Sequence, residues 1–262
     1  VNQRWEEGRA RWRPAGELIR TSEYEVSEMP KGKDPVAIEF IKRHHYSGSV
    51  PSGRFSFGLY RHGILVGVAM FSYPTNDRTL TNVFPSCEVM EATELGRFVL
   101  LDEVPGNGET WFLARAFDRL RGRIRGVVSF SDPMPRRSTT GGLVLPGHVG
   151  TIYQAANAAY LGRATARTLR LLPDGTVFND RTIQKIRAQE DGWGPAVEKL
   201  QSYGAGTLDA EPAAWLKRWL PIVSRPLRHR GNHRYAWALD RRLRRELPAG
   251  LPTPKQVDQE AA

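Results

Sequence analysis

The sequence predicts a mixed α/β protein, and three stretches carry that reading. Val127 and Val128 open a β-branched run that Pro133 stops, the pattern of a short buried strand that delivers Ser131 and Asp132 to its C-terminal end. Phe55–Tyr60 and Ile64–Tyr73 form two more strands across Arg61-His62-Gly63, a hairpin turn. Glu94–Leu101 is a further strand, followed by the glycine-containing turn Pro105–Thr110 and a helix whose core face carries Leu113, Phe117 and Leu120. Strands and helices that alternate in this way pack as a sheet covered by helices.

The other elements follow in chain order. Residues 1–34 are polar and rich in Arg, Glu, Gly and Pro, and are expected to form a basic N-terminal arm. Pro35–His45 reads as a helix that ends in the polar cluster Arg43–Gly48. Its paired histidines and Tyr46 either hold a metal, position a ligand, or only decorate the surface. Thr75–Cys87 reads as a polar loop. Arg97 stands inside an apolar strand, where an unpaired charge is costly, so it needs a carboxylate, a phosphate or an open cleft. A helix is expected within Gly147–Gly162, with Tyr153, Asn157 and Tyr160 at i, i+4 and i+7 as one polar-aromatic stripe. Thr168–Asp180 is expected as a hairpin around Pro173-Asp174-Gly175, and Arg181–Gly204 as helix broken at Gly192–Pro195. Glu211–Pro221 is expected as a short helix with Trp215 and Trp219 as core anchors. Arg225–Arg234 concentrates Arg225, Arg228, His229, Arg230, His233 and Arg234 ahead of a last strand, Tyr235–Leu239. Gly231-Asn232 argues against a helical His229/His233 metal pair and for phosphate contact.

Composition bounds the function. At 262 residues the chain can bury a full core without metal or disulfide, and its single cysteine, Cys87, excludes a disulfide framework and cysteine-rich zinc sites. A net charge of +10, carried mostly by arginine, points to nucleic acid ahead of a membrane surface or an acidic protein. Neither a charged-then-apolar leader nor a long apolar span is visible, so the expected location is cytoplasmic.

Six motifs then occur in order: HHYSG (44–48), ELGR (94–97), NGET (107–110), SFSDP (129–133), GHVGTIYQAANAAYLG (147–162) and NHRYAWAL (232–239). Together they resemble the Mom family of phage DNA-modification proteins, a branch of the GCN5-related N-acetyltransferase (GNAT) fold. The SxSDP and GHxGxxYQAxN combination is the specific part. The resemblance implies a mixed, mostly antiparallel central sheet splayed between its fourth and fifth strands and flanked by helices. It covers a catalytic domain over residues 35–240, with an insertion at 134–146 and a basic, then polar, C-terminal tail at 241–262.

The same resemblance implies an enzyme of the phage-infected bacterial cytoplasm that adds a methylcarbamoyl group to the exocyclic amine of adenine in DNA and so protects DNA from restriction. Acetyl-coenzyme A is the implied cofactor and double-stranded DNA with the adenine flipped out the implied partner. The implied catalytic residues are Asp132, Tyr153, Tyr46 and Arg97, with Ser131 beside them. The cofactor would meet Val99, Leu100, Gly106, Asn107, Gly108, Glu109, Thr110, Asn157 and Tyr160. DNA contacts are expected at Arg136, Arg137, Arg228, His229, Arg230 and Arg234. Iron is associated with the family, and His45, Tyr46 and Asp132 are its candidate ligands. The alternatives are a GNAT-fold N-acetyltransferase acting on another amine (a modified base, a small molecule or a protein) and a non-enzymatic basic DNA-binding protein.

Overall fold

The computed structural model describes residues 2–6, 9–13, 18–209 and 211–255. Two compact units divide them: Val1–Pro133 with His148–Ala164 and Asn232–Ala262, and Met134–Gly147 with Thr165–Gly231. In chain order the first unit supplies β1 (Asn2–Glu6), β2 (Arg9–Arg13), β3 (Tyr24–Glu28), α1 (Pro35–His44), β4 (Gly53–Arg61), β5 (Ile64–Ser72), α2 (Arg78–Thr81), β6 (Ala92–Leu100), α3 (Gly108–Leu120) and β7 (Gly126–Ser131). The second unit then contributes β8 (Arg136–Arg137) and β9 (Leu143–Leu145), and the first resumes with α4 (Thr151–Ala155) and β10 (Ala159–Arg163). The second continues with β11 (Arg167–Leu171), α5 (Asp180–Ala188), α6 (Trp193–Gln201), α7 (Pro212–Val223) and β12 (Arg225–His229), and the first closes with β13 (His233–Ala238) and α8 (Arg241–Glu246).

The first unit is built on a seven-stranded sheet in the order β10-β13-β7-β6-β5-β4-β3. Every neighbouring pair is antiparallel except β6 and β7, which are parallel. The β4–β5 turn places His62 at φ 49° and Gly63 at φ 79°, the left-handed pair that a tight hairpin requires. Period-two alternation along β5 puts Val68 and Met70 against Phe40 and Ile41 of α1, and Ala69 and Phe71 into the cluster holding Phe112, Leu113 and Phe117 of α3. The sheet is thus covered on both faces.

Several expectations change. Residues 18–34 are not an arm: Tyr24 and Val26 are buried between exposed Glu25 and half-buried Ser27, and β3 forms the sheet edge. Within Thr75–Cys87, Leu80, Val83 and Phe84 are buried at helical spacing around α2. The tail begins as α8, capped by Asp240, whose carboxylate accepts the Leu243 N–H at 2.7 Å. Of the expected arm and tail, residues 1, 7–8, 14–17 and 256–262 lie outside the described residues.

The second unit has its own core, in which Leu172, Phe178, Ile186, Leu200, Trp215 and Leu220 pack together. Met134–Gly147 belongs to this unit and is not an isolated insertion in one 35–240 domain. The turn at Pro173–Gly175 is present, with the Gly175 N–H on the Leu172 carbonyl at 2.9 Å. The stretch after the turn folds back on β11 as a short hairpin, with an antiparallel bridge between Leu171 and Val177 and the Phe178 N–H on the Arg170 carbonyl at 2.8 Å, while the longer ladder of β11 is with β12. Trp215 is 2 % exposed and donates its indole N–H to the Gly206 carbonyl at 2.9 Å. Trp215→Ala should therefore cost about 3–5 kcal/mol, read as a lowered urea midpoint.

Candidate active site

The parallel ladder joins Ala92–Glu94 to Gly126–Val128 and stops there, although β6 continues to Leu100 and β7 to Ser131. The sheet therefore forks between its fourth and fifth strands counted from β3. Ser129 sits in the crotch, its hydroxyl donating to the Leu95 carbonyl at 3.0 Å. A cavity of about 190 Å³ opens there, lined by His45, Tyr46, Glu94, Gly96, Arg97, Phe130, Asp132, Tyr153 and Asn232 among others. That is below the roughly 300–1,000 Å³ of a drug-sized ligand pocket, a size for one planar ring or an acyl head.

Strand alternation decides which groups of SFSDP reach it. Phe130 and Asp132 line the cavity, while Ser131 between them is fully buried on the other face. Ser131 therefore drops out of the catalytic set. Gly150 explains the tight approach of α4: at φ 74° it is left-handed, and a Cβ there would come within 2.7 Å of the Tyr235 ring, 3.0 Å of the Tyr153 ring and 3.1 Å of the Ser131 hydroxyl.

Four segments are tied together around the cavity. The Tyr46 hydroxyl and His148 Nε2 are 3.2 Å apart, and the His148 N–H donates to the Asp132 carbonyl at 2.8 Å. Arg97 grips the loop that follows Tyr46: Nε donates to the Ser49 carbonyl at 2.7 Å and Nη2 to its hydroxyl at 2.8 Å, while Nη1 reaches the Gly96 carbonyl. Arg97 thus holds the His45–Tyr46 segment in place as well as charging the cavity.

Burial sets the protonation states. It pushes His45 down to about 3, helped by Arg97 and then His148. It pushes His148 down to about 4, helped by His233. Burial also raises the Tyr153 phenol and raises Glu94, where the Arg97 charge opposes it. At neutral pH both histidines are uncharged and the Tyr153 phenol keeps its proton. Beneath them His233 is buried, its Nδ1 2.8 Å from the Tyr160 hydroxyl.

These shifts carry a sign. The unfolded chain protonates His45 and His148 below about 6.5, whereas the folded chain does so only near 3 and 4. Between those values the unfolded state holds more protons, so stability falls as pH drops from 6.5 towards 4. His148→Gln, which keeps a partner for Tyr46, should flatten that decline, measured as the difference in Tm between pH 7 and pH 5.

The remaining candidates scatter. The Val99 and Leu100 side chains are buried in the two cores, so only the backbone of β6 along its open edge can meet a ligand. Gly106–Thr110 forms the turn into α3, with Asn107 left-handed at φ 64° and no side chain capping that end. Gly106, Gly108 and Glu109 are buried there. The helical stripe is broken. α4 stops at Ala155, Asn157 turns left-handed at φ 58°, and the Ala158 N–H closes back on the Tyr153 carbonyl at 3.0 Å. Tyr160 consequently lies on β10, buried opposite Tyr235.

Of the expected DNA contacts, Arg137, Arg228 and Arg230 are exposed and Arg136 is half-buried. His229 is 1 % exposed, its Nδ1 accepting the Gly231 N–H at 3.0 Å, so it cannot reach a phosphate. Arg234 is half-buried and donates to the Leu161 carbonyl at 3.2 Å. Iron finds no support here. Among the described residues no group of three or more His, Cys, Asp or Glu could hold a metal, and the expected set has only two such groups, His45 and Asp132, beside Tyr46. Not foreseen were Glu94 and Asn232 as lining residues and His148, which stands behind Tyr46; Glu94 was expected at most as an ion-pair partner for Arg97. All three lie inside the six motifs, but nothing in their spacing distinguished them from their neighbours.

Comparison with known proteins settles the family, because the Mom protein family model matches residues 23–255. The chain belongs to the Mom protein family. Over 156 residues it is 26% identical to "Methylcarbamoylase mom" of Escherichia phage Mu, covering 58% of this chain and 59% of that protein. The chain thus spans about three fifths of the length of the curated Mom relative it matches. Among solved structures it is similar to a tandem GNAT protein from the clavulanic acid biosynthesis pathway, with a TM-score of 0.37, 10% identity, and coverage of 69% of this chain and 65% of that one. It is also similar to an N-acetyltransferase from Staphylococcus aureus Mu50, with a TM-score of 0.36, 12% identity, and coverage of 83% and 99%. No described helix of this Mom-family chain is long and apolar enough to cross a membrane.

Proposed function

We propose that this Mom-family chain is an acyltransferase of GNAT type that modifies the exocyclic amine of adenine in duplex DNA and so shields that DNA from restriction. One observation carries the reading: Tyr46, Arg97, Asp132 and Tyr153, from four separate segments, converge on one small cavity where the sheet forks. Acetyl-coenzyme A fits the surroundings. Beyond Glu94 no described strand pairs with the β6 edge facing β7, which leaves backbone groups for an extended amide-bearing arm. The uncapped start of the thirteen-residue α3 suits a pyrophosphate. When bound, the cofactor supplies an acyl carbon as a thioester.

The chain's own groups then do the following. Asp132 accepts a hydrogen bond from the adenine amine and takes the proton it sheds as the N–C bond forms. Tyr46 donates a proton to the departing sulfur as the S–C bond breaks, and the neutral imidazole of His148, 3.2 Å away, orients its hydroxyl. Tyr153, kept protonated by burial, donates to the acyl oxygen, and Arg97 offsets the charge that develops there. The base must leave the stack to enter a cavity of this size. A methylcarbamoyl product carries a nitrogen that an acetyl group lacks, so it calls for a nitrogen-bearing reactant besides acetyl-coenzyme A.

The test follows acetyl carbon from labelled acetyl-coenzyme A in lysate containing duplex DNA and the chain. Label in adenine nucleosides supports the reading. Label in small amines or protein alone supports an N-acetyltransferase of another substrate, and salt-sensitive DNA binding with no transfer supports a DNA-binding protein.

A further inference from the structure

Resting on the proposed action on DNA, we infer that the two-stranded ribbon β11–β12 of the second unit is a duplex-DNA contact element that enters a groove and neutralises phosphates. In this ribbon Thr168 pairs with Arg228 and Arg170 with Pro226, while Leu169 pairs with Leu227 and Leu171 with Arg225. Directly paired residues share a face, so the two faces differ sharply. Leu169, Leu171 and His229 are buried on the inner one. The outer one carries Thr168, Arg170, Pro226 and Arg228, all exposed except the half-buried Arg170. Arg167, Arg225 and Arg230 stand exposed at the ends of the same ribbon.

Clustered like charges on one small face repel each other and would lower stability unless used. Among the described residues no carboxylate pairs with Arg167, Arg170, Arg225, Arg228 or Arg230, whereas Arg181 of α5 is paired with Glu190 and Lys199 of α6 with Asp174. The ribbon thus gathers four of these arginines into ten paired residues, with Arg230 directly after them, whereas on the helices part of the charge is paired. The shape suits the partner. Two strands about 4.8 Å apart fit a major groove about 12 Å wide, and five residues per strand reach roughly 17 Å along it. Threonine and arginine on the outer face offer a hydroxyl and guanidinium forks to phosphates and base edges.

The test is duplex binding by the full-length chain as a function of salt. With Arg170→Gln and Arg228→Gln together, the slope of log Kobs against log salt should shrink by about 1.8, about 0.9 for each phosphate no longer neutralised. Arg170→Lys with Arg228→Lys should restore it, because counterion release needs charge and not a fork. Arg187→Gln with Lys217→Gln, the same charge change on exposed positions of the second unit's helices, should leave the slope unchanged. If the glutamine ribbon variant keeps the wild-type slope, or the helix control falls by as much, the ribbon assignment is overturned while the DNA reading stands. If the wild type fails to bind duplex at low salt, or binds anionic vesicles in preference to it, the DNA reading and this inference are both overturned.

Discussion

Asp132→Asn should lower DNA modification by about 10²–10⁴-fold, the range for losing a positioned proton acceptor. The substitution keeps the shape of the side chain, and the hydrogen bond that ties this turn to His148 uses the Asp132 backbone carbonyl. The amide can still accept a hydrogen bond from the adenine amine but cannot take its proton. The loss should therefore appear in kcat and leave duplex affinity intact. Measuring labelled nucleoside formed per minute alongside duplex binding separates the two. A variant with wild-type turnover would remove Asp132 from the chemistry.

The second large effect is at Arg97. Arg97→Met removes both the charge and the two-pronged grip on Ser49, and should cost about 10²-fold or more through misplacement of Tyr46 alone. Arg97→Lys discriminates between the two roles. A single ammonium keeps the charge but cannot span the Ser49 carbonyl and hydroxyl as a planar fork does. If positioning dominates, the lysine variant should be nearly as slow as the methionine variant. If it keeps near-wild-type turnover, charge is what matters and the grip on Ser49 is incidental.

The strands and the main helix were legible because their signals are local: a left-handed turn at His62-Gly63, β-branched runs, and a glycine turn before α3. What escaped depended on partners far away in the chain. Tyr24 and Val26 looked like part of a polar arm because two apolar residues at period two are a weak pattern until β4 pairs with them. Arg225–His229 showed only a concentration of basic residues, yet becomes a strand through its pairing with β11. Tyr160 seemed to continue a helix because nothing in the sequence announces that Asn157 will adopt a left-handed conformation.

The same division holds at the candidate site. Tyr46, Arg97, Asp132 and Tyr153 meet in one cavity: Arg97 and Asp132 stood out as charges within or at the end of an apolar strand, Tyr46 in a polar cluster after a helix, and Tyr153 on a polar-aromatic stripe. Ser131 stood out equally, but a strand presents neighbours to opposite faces, and Asp132 and Phe130 occupy the open one. His148 was hidden because a histidine between glycines resembles a turn, and its contact with Tyr46 spans 102 positions. His229 resembled a phosphate ligand among arginines, yet its place on the inner face of the ribbon buries it.

The most direct test is mass analysis of nucleosides from DNA of cells expressing the wild type or Asp132→Asn, side by side. The wild type should yield a heavier adenine nucleoside that is absent or scarce in the variant. Unmodified adenine in both samples, or equal modification in both, would contradict the assignment of this cavity to adenine chemistry.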